Sequence, residues 1–230
     1  GAAARGRIPD HQGDFAGLTV LAMGKMGAHE LNYSSDIDLI VLFEDAAFAP
    51  PDRPAARAAL IRVTRAAAAM LSDITDLGHV FRTDLRLRPD AAVTPVCVAT
   101  SAALAYYEAE GRTWERAAFI KARPCAGDLA AGARFLEALQ PFVWRRHLDF
   151  AAIEDAHSMR LRIRDHKGLH GALHGPLAKA HDIKLGRGGI REIEFLTQTQ
   201  QLISGGRDPS LREAGTIDAL AALAKAGWIA

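Results

Sequence analysis

Residues 32–44 read NYSSDIDLIVLFE, and this stretch decides the fold. Leu39 to Phe43 is a short apolar run with the signature of a buried strand. Asp36 and Asp38 sit at its mouth, separated by Ile37. Because side chains alternate along a strand, both carboxylates belong on one face while Ile37 and Leu39 turn to the core. Two carboxylates that close repel each other unless a cation lies between them. Oxygen ligands of this kind suit magnesium or manganese, which take one or two carboxylates together with substrate phosphate oxygens. Taken alone, Asp-x-Asp fits the solvated start of a strand equally well.

Downstream, residues 81–89 read FRTDLRLRP. His79 to Arg88 alternates as a strand that Pro89 ends, with Asp84, Arg86 and Arg88 on one face and Leu85 and Leu87 on the other. A third carboxylate beside the first two would complete a two-metal site, its ions about 4 Å apart. The arginines would hold phosphate oxygens through their planar forks, or else simply pair with Asp36, Asp38 and Asp84. Upstream, Leu18 to Met23 is a further apolar run bounded by Gly17 and Gly24. The following GKMGAHEL places Gly24 and Gly27 where backbone can approach a phosphate, with Lys25 adding positive charge. Such glycines also make ordinary turns, and the chain has no Gly-x-x-x-x-Gly-Lys-Ser/Thr phosphate loop.

Between these blocks Pro50, Pro51 and Pro54 interrupt the chain before Arg57 to Leu77. There Leu60, Ile61, Met70, Leu71, Ile74 and Leu77 recur at helical spacing, and Gly78 stands at the position of a C-terminal cap. Strand, strand, helix and strand thus form a small α/β unit over residues 1–99. From Thr100 the Ala-rich sequence reads as helices: Ser101–Glu110, Thr113–Lys121, Asp128–Leu139, Pro141–Asp165, Ile190–Ser204 and Thr216–Ala226. The predicted class is α+β. Predicted divisions are the core at 1–99, a helical part at 100–165 on the active-site side, a connector at 166–182 rich in Gly, His and Pro, and the start of a helical bundle at 183–230.

Composition narrows the function. With 28 Lys and Arg against 27 Asp and Glu, the charge balance gives no electrostatic reason to expect nucleic acid or an anionic membrane as partner. No stretch approaches the roughly 18 to 20 apolar residues of a membrane span, and the opening GAAARGRIPDHQGDF lacks the apolar core of a signal peptide. Cys97 and Cys125 are the only cysteines, which fits a reducing cytoplasm better than a disulfide framework. Both ends read as cuts from a longer chain.

Three further groups carry charge. WERAAFIKAR, residues 114–123, sets Glu115, Arg116, Lys121 and Arg123 within three helical turns, where Arg116 and Arg123 share nearly one face. That face would reach phosphate or ribose, although surface ion pairing of Glu115 with nearby basic residues is the simpler role for any one member. IKLGRGG precedes a helix from Ile190, so its Gly-rich turn at 186–189, with Lys184, Arg187 and Arg191, is a secondary anion candidate. Glu192 and Glu194 read as solvated or paired with Arg191. His166, His170 and His174 have metal-compatible spacing, but Gly168, Gly171 and Gly175 favour a flexible connector.

The glycine turn, Ser-Ser-Asp-x-Asp and a third Asp on a later strand together resemble the polymerase-beta-like nucleotidyltransferase superfamily. Gly27-Ala28 stands where its pattern has Gly-Gly or Gly-Ser. The resemblance narrows over GKMGAHELNYSSDIDLIVLFE, RTDLRLRPD, WERAAFIKARPCAGD and IKLGRGGIREIEFLTQTQQLISGGR, which look like consecutive blocks of the glutamine synthetase adenylyltransferase family from about Leu18 to Trp228. WERAAFIKAR and GGIREIEF look like the N-terminal, adenylyl-removing half, where the transferring half reads closer to WEH and GGLVDIEF. The resemblance implies a small mixed sheet followed by helices, and Mg2+ (or Mn2+) on Asp36, Asp38 and Asp84. Asp84 would hold the ion nearer the attacking oxygen. It also implies nucleotide or phosphate contacts from Gly27, Ser35, Arg86, Arg88 and Lys121, with Glu115, Arg123, Lys184 and Arg191 as secondary candidates. The implied reaction is phosphorolysis of AMP from a glutamine synthetase tyrosine, giving ADP. The PII signalling protein and glutamine would be regulators. Adenylyl transfer from ATP to the synthetase and a noncatalytic regulatory module are the competing readings. A polynucleotide polymerase is disfavoured by the lack of a basic stripe with interleaved aromatics.

Overall fold

The computed structural model describes residues 8–146, 183–184, 186 and 188–229. The chain divides into two compact units, Gly1–Phe142 and Val143–Ala230. The first is built on a five-stranded mixed sheet, and the α+β expectation holds. Strand β1 (Leu18–Ala22) lies antiparallel to β2 (Ile37–Phe43), with Leu18 opposite Phe43 and Ala22 opposite Leu39. The other edge of β2 is shared by two short parallel strands. Thr83–Asp84 (β3) pairs with Ile37 and Asp38, and Cys97–Ala99 (β4) pairs with Val41 to Phe43. Arg123–Gly127 (β5) closes the far side against β1, with a register shift between Val20 and Leu21.

β2 is the central strand, and its unbroken apolar sequence follows from cover on both faces. Val41 and Phe43 pack with Phe48, Cys97, and Ala56 and Leu60 of α2 (Arg53–Ser72). Alternation puts Asp38, Ile40 and Leu42 on the opposite face. Thr19 of β1 meets Gly132 on α5 (Leu129–Val143) so closely that a Cβ at Gly132 would lie 2.6 Å from the Thr19 hydroxyl. Tyr107 of α3 (Thr100–Ala109), Phe119 of α4 (Thr113–Phe119) and Phe142 form an aromatic cluster, with Tyr107 to Phe119 edge-on at 5.0 Å. Asp128 starts α5 by accepting the Ala131 N–H.

Several expectations need correction. The helix expected over Arg57 to Leu77 begins at Arg53 and ends at Ser72. Gly78 is not its cap. It closes a tight turn with Thr75, at φ +91°. Met70, Ile74 and Leu77 are exposed rather than core, Leu77 at 99%. The buried stripe of α2 is Ala56, Ala59, Leu60 and Thr64, and the two-residue β3 offers little sheet for its last turns. The strand expected over His79 to Arg88 shrinks to β3, because the chain turns from Arg86 onward. β4 and β5 escape the periodicity because three residues, or a run containing Pro and Gly, carry too little pattern. Helix α5 continues through Pro141 to Val143, where a break was expected.

In the second unit α6 (Ile190–Ser204) matches its expected bounds, and α7 spans Thr216–Lys225. Buried Gln201 holds the link between them by donating to the carbonyls of Leu211 and Glu213, at 2.8 and 2.7 Å. The Arg212 guanidinium lies over the Trp144 ring. The connector at 166–182 lies outside the described residues. Among the described residues no helix is long and apolar enough to cross a membrane.

Candidate active site

The turn before β2 is fixed by Asn32, whose side-chain oxygen accepts from the Ser34 N–H and the Ser35 hydroxyl, the latter at 2.7 Å. Ser35 is thereby committed to shaping the turn that presents Asp36. Asp36 ends the turn exposed, and Asp38 follows within β2, half-buried. The parallel pairing sets Asp84 in register with Asp38. Strand geometry then puts their Cα atoms about 4.8 Å apart across the sheet, with Asp36 roughly 6.6 Å further along. The carboxylate of Asp38 faces Gly24, where an added Cβ would meet its Oδ2 at 3.2 Å. The carbonyl of Asp38 accepts the Met23 N–H at 2.9 Å.

Two of these carboxylates are held by arginines. Asp36 is ion-paired with Arg82, whose other nitrogen donates to the Ser34 carbonyl at 2.7 Å. The Arg82 carbonyl accepts the Ile37 N–H, so one residue ties β3 to β2 through both backbone and side chain. Arg82 was not among the residues singled out from the sequence, since its neighbours Asp84 and Arg86 carry the stronger pattern. Asp84 accepts from the Arg86 side chain and from the Arg86 backbone N–H, at 2.8 Å for the latter. The side-chain hydrogen bonding from Arg86 holds the Asp84 carboxyl below the usual range against the opposing pull of burial.

The all-oxygen donor set suits a hard divalent ion. As the side chains stand, no group of three carboxylate, imidazole or thiolate residues among the described residues is drawn together as a metal cage. Asp36 turns to Arg82 and Asp84 to Arg86. Both arginines are largely exposed, at 62% and 84% of their side chains, and surface pairs of this kind add little stability. A divalent ion therefore has weak competitors to displace.

The expected common face of Asp84, Arg86 and Arg88 does not form, because Leu85 to Arg88 leave the strand. Arg88 turns inward and donates to the carbonyls of Leu85, Ala91 and Thr94, between 2.7 and 3.2 Å. Its guanidinium pins the 85–94 loop instead of presenting a free fork.

Gly27 lies at the end of the single turn α1 (Gly24–Gly27). A Cβ there would sit 1.8 Å from the Lys121 carbonyl oxygen and 2.5 Å from that of Ala22, so close backbone packing by itself requires glycine. The residues of 114–123 are not a surface ion-pair set. Glu115, Arg116 and Lys121 are buried, Lys121 at 4%, because the segment runs beneath α1 and into β5. The Lys121 ammonium meets Glu30 at 2.6 Å. Arg123 donates to the carbonyls of Gly27 and Met26, both at 3.2 Å. Glu115 Oε2 accepts the Arg112 N–H at 2.8 Å and lies 3.3 Å from the Tyr106 hydroxyl. Its Oε1 is buried with no hydrogen-bond partner among the described residues, and desolvation pushes its carboxyl upward.

Within the second unit, Lys184 and Arg191 are both exposed, joined by a hydrogen bond from the Arg191 N–H to the Lys184 carbonyl at 3.0 Å. Glu192, expected to be solvated or paired with Arg191, accepts the Gly188 N–H at 2.9 Å. A carboxylate thus occupies one amide of the turn expected to take an anion. Arg187 and the histidines at 166, 170 and 174 lie outside the described residues.

Comparison with known proteins bears on this geometry. Residues 2–138 match the family described as glutamate-ammonia ligase adenylyltransferase, and residues 157–230 match that described as GlnD PII-uridylyltransferase. A relative from Mesorhizobium japonicum, named as a bifunctional glutamine synthetase adenylyltransferase/adenylyl-removing enzyme, is 58% identical over 93% of this chain and 21% of its own length. Relatives of the same name from Rhodopseudomonas palustris and Agrobacterium fabrum are each 56% identical, over 99% and 93% of this chain. The chain spans 21% to 23% of the length of these relatives.

Proposed function

Because the chain belongs to the glutamate-ammonia ligase adenylyltransferase family, we propose that it carries the adenylyl-removing site, which releases AMP from a glutamine synthetase tyrosine by phosphorolysis. The observation that carries the reading is the in-register pairing of Asp38 with Asp84, with Asp36 in the turn two residues ahead. These three carboxylates would hold Mg2+ or Mn2+. The bound metal would neutralise phosphate charge and align the attacking and leaving oxygens. The removing direction is supported by WERAAFIKAR and GGIREIEF.

The chain's own residues then have separable tasks. Asp38, seated between Asp84 and Gly24, is the fixed member of the set. Asp36 and Asp84 complete it by letting go of Arg82 and Arg86. The released guanidiniums, both exposed, become available to phosphate oxygens in a site where two anions must approach each other. The Gly24–Gly27 turn beside Asp38 is where nucleotide phosphate would lie. An oxygen of inorganic phosphate attacks the phosphorus of the AMP group, and the phosphorus–tyrosine oxygen bond breaks. ADP forms, and the tyrosine leaves as a phenolate that takes a proton from water; its free pKa near 10 makes it a fair leaving group. In the whole protein, which would work in the cytoplasm, PII signalling protein and glutamine would set the rate.

The test incubates AMP-tyrosyl glutamine synthetase with the protein, magnesium and inorganic phosphate, and follows ADP by chromatography beside Asp36→Ala and Asp38→Ala. Phosphate-dependent ADP that both substitutions abolish is expected. Wild-type rates in either variant would overturn the site, whereas ATP-dependent modification without ADP release from the adenylylated protein would assign the opposite direction.

A further inference from the structure

We propose that buried Lys121 and half-buried Glu30 form a strut that positions the Met23–Ala28 turn over Asp38, making both positioning residues for the carboxylate site; this rests on the proposed function. Lys121 stands in the segment joining α4 to β5. Its ammonium is taken by Glu30 at 2.6 Å, with its side chain only 5% exposed, so it is directed into the protein and not towards a phosphate. Glu30 ends the turn, its N–H bonded to the Lys25 carbonyl at 2.7 Å.

Two further contacts hold the same turn. The Lys121 carbonyl presses on the Cα of Gly27, and Arg123 donates to the carbonyls of Met26 and Gly27. At its other end the turn meets the site twice, through the Met23 N–H on the Asp38 carbonyl and through Gly24 against the Asp38 carboxylate. Gly24 has φ +51°, which glycine adopts without strain, and its lack of a Cβ lets the turn lie directly against that carboxylate. A shift at Glu30 is therefore passed along six residues to the oxygen that would bind metal. Removing either member breaks the contact that ties Glu30 to the α4–β5 segment, and with it one of the restraints on the turn.

The test uses the intact protein with Lys121→Met, Glu30→Gln and the double variant, and measures Mn2+ affinity by electron paramagnetic resonance without substrate, alongside kcat and the KM for phosphate. Loss of an outer residue that orients a metal ligand weakens binding by on the order of 10-fold or more. Each single variant is expected to show that loss together with a lower kcat, and the double variant to be no worse than either, since both break one strut. A raised KM for phosphate in Lys121→Met with unchanged Mn2+ affinity would make Lys121 a phosphate ligand and overturn the proposal. A fall in melting temperature alone, with Mn2+ affinity intact, would reduce the pair to general packing and overturn it as well. Asp38→Ala serves as the control for the underlying reading: if it too leaves Mn2+ affinity unchanged, the carboxylates are not the metal site, a failure distinct from that of the strut.

Discussion

Gly27→Ala adds one methyl group at the tightest backbone crossing of the first unit. The new Cβ would lie 1.8 Å from the Lys121 carbonyl oxygen and 2.5 Å from that of Ala22. A carbon and a carbonyl oxygen ordinarily stay about 3.3 Å apart, so the segments must separate by roughly 1.5 Å. Both obstacles are main chain, and no side-chain rotation relieves them. Overpacking of a core typically costs about 1 to 3 kcal/mol, and a clash against two carbonyls belongs at the upper end. About 3 kcal/mol corresponds to on the order of a hundredfold in a local opening equilibrium. Hydrogen exchange of the intact protein, read by mass spectrometry, reports that equilibrium peptide by peptide. Peptides covering β1 and β5 are expected to exchange roughly a hundredfold faster in Gly27→Ala, while peptides of α6 keep their wild-type rates. Wild-type protection across β1 and β5 would refute the argument that the Lys121 carbonyl dictates glycine here.

Two expectations concern ionisation. Arg86→Met removes the largest influence on Asp84, so its carboxyl should titrate higher, as followed by carboxyl-carbon NMR. In the wild type, the lowered folded value means that this interaction is fully present above the ordinary 3.8 and is lost as pH falls through the depressed value, and this acid-side loss should shrink in the variant. An unmoved Asp84 titration would show that Arg86 is not its cause. Glu115 has the opposite sign: burial raises its folded value, so stability is lost as pH rises from the ordinary 4.5 towards that value. Glu115→Gln cannot ionise, and its melting temperature minus that of the wild type should grow over that interval. A difference independent of pH would argue that the carboxylate is solvated.

The strongest sequence features were legible because local pattern and tertiary demand agree. An apolar run such as 39–43 needs cover on both faces, and the α6 bounds follow from a Gly-Gly start and a Gly-Gly stop. The failures fall where a neighbour decides. Arg88 alternates correctly for a strand, but its three carbonyl partners make a tight loop the better solution. Met70 and Ile74 keep helical spacing, yet among the described residues both stand exposed. Lys121 and Glu30 lie too far apart in sequence for any periodicity to join them, and no spacing rule could have named Glu30. Arg82 was open to reading, as a cation two residues before a strand carboxylate, yet its partner Asp36 lies across the sheet.

The arrangement of Asp36, Asp38 and Asp84 sets a condition that the arginines meet. Three neighbouring carboxylates at the adjoining starts of β2 and β3 repel one another and would oppose the β2–β3 pairing that brings them together. Arg82 and Arg86 remove that opposition from positions on or beside β3 itself, so the strand brings its own counter-charge. Because both guanidiniums are exposed, water screens the pairs, and each holds its carboxylate far less tightly than a buried partner would. The same exposure would let a bound cation displace them more readily than Lys121, whose side chain is only 5% exposed, could be parted from Glu30. The exposed counter-charge thus rests on Arg82 and Arg86, and the less exposed counter-charge on Lys121 at the turn. It follows that salt should weaken the first long before the second, since screening acts on exposed pairs and much less on buried ones.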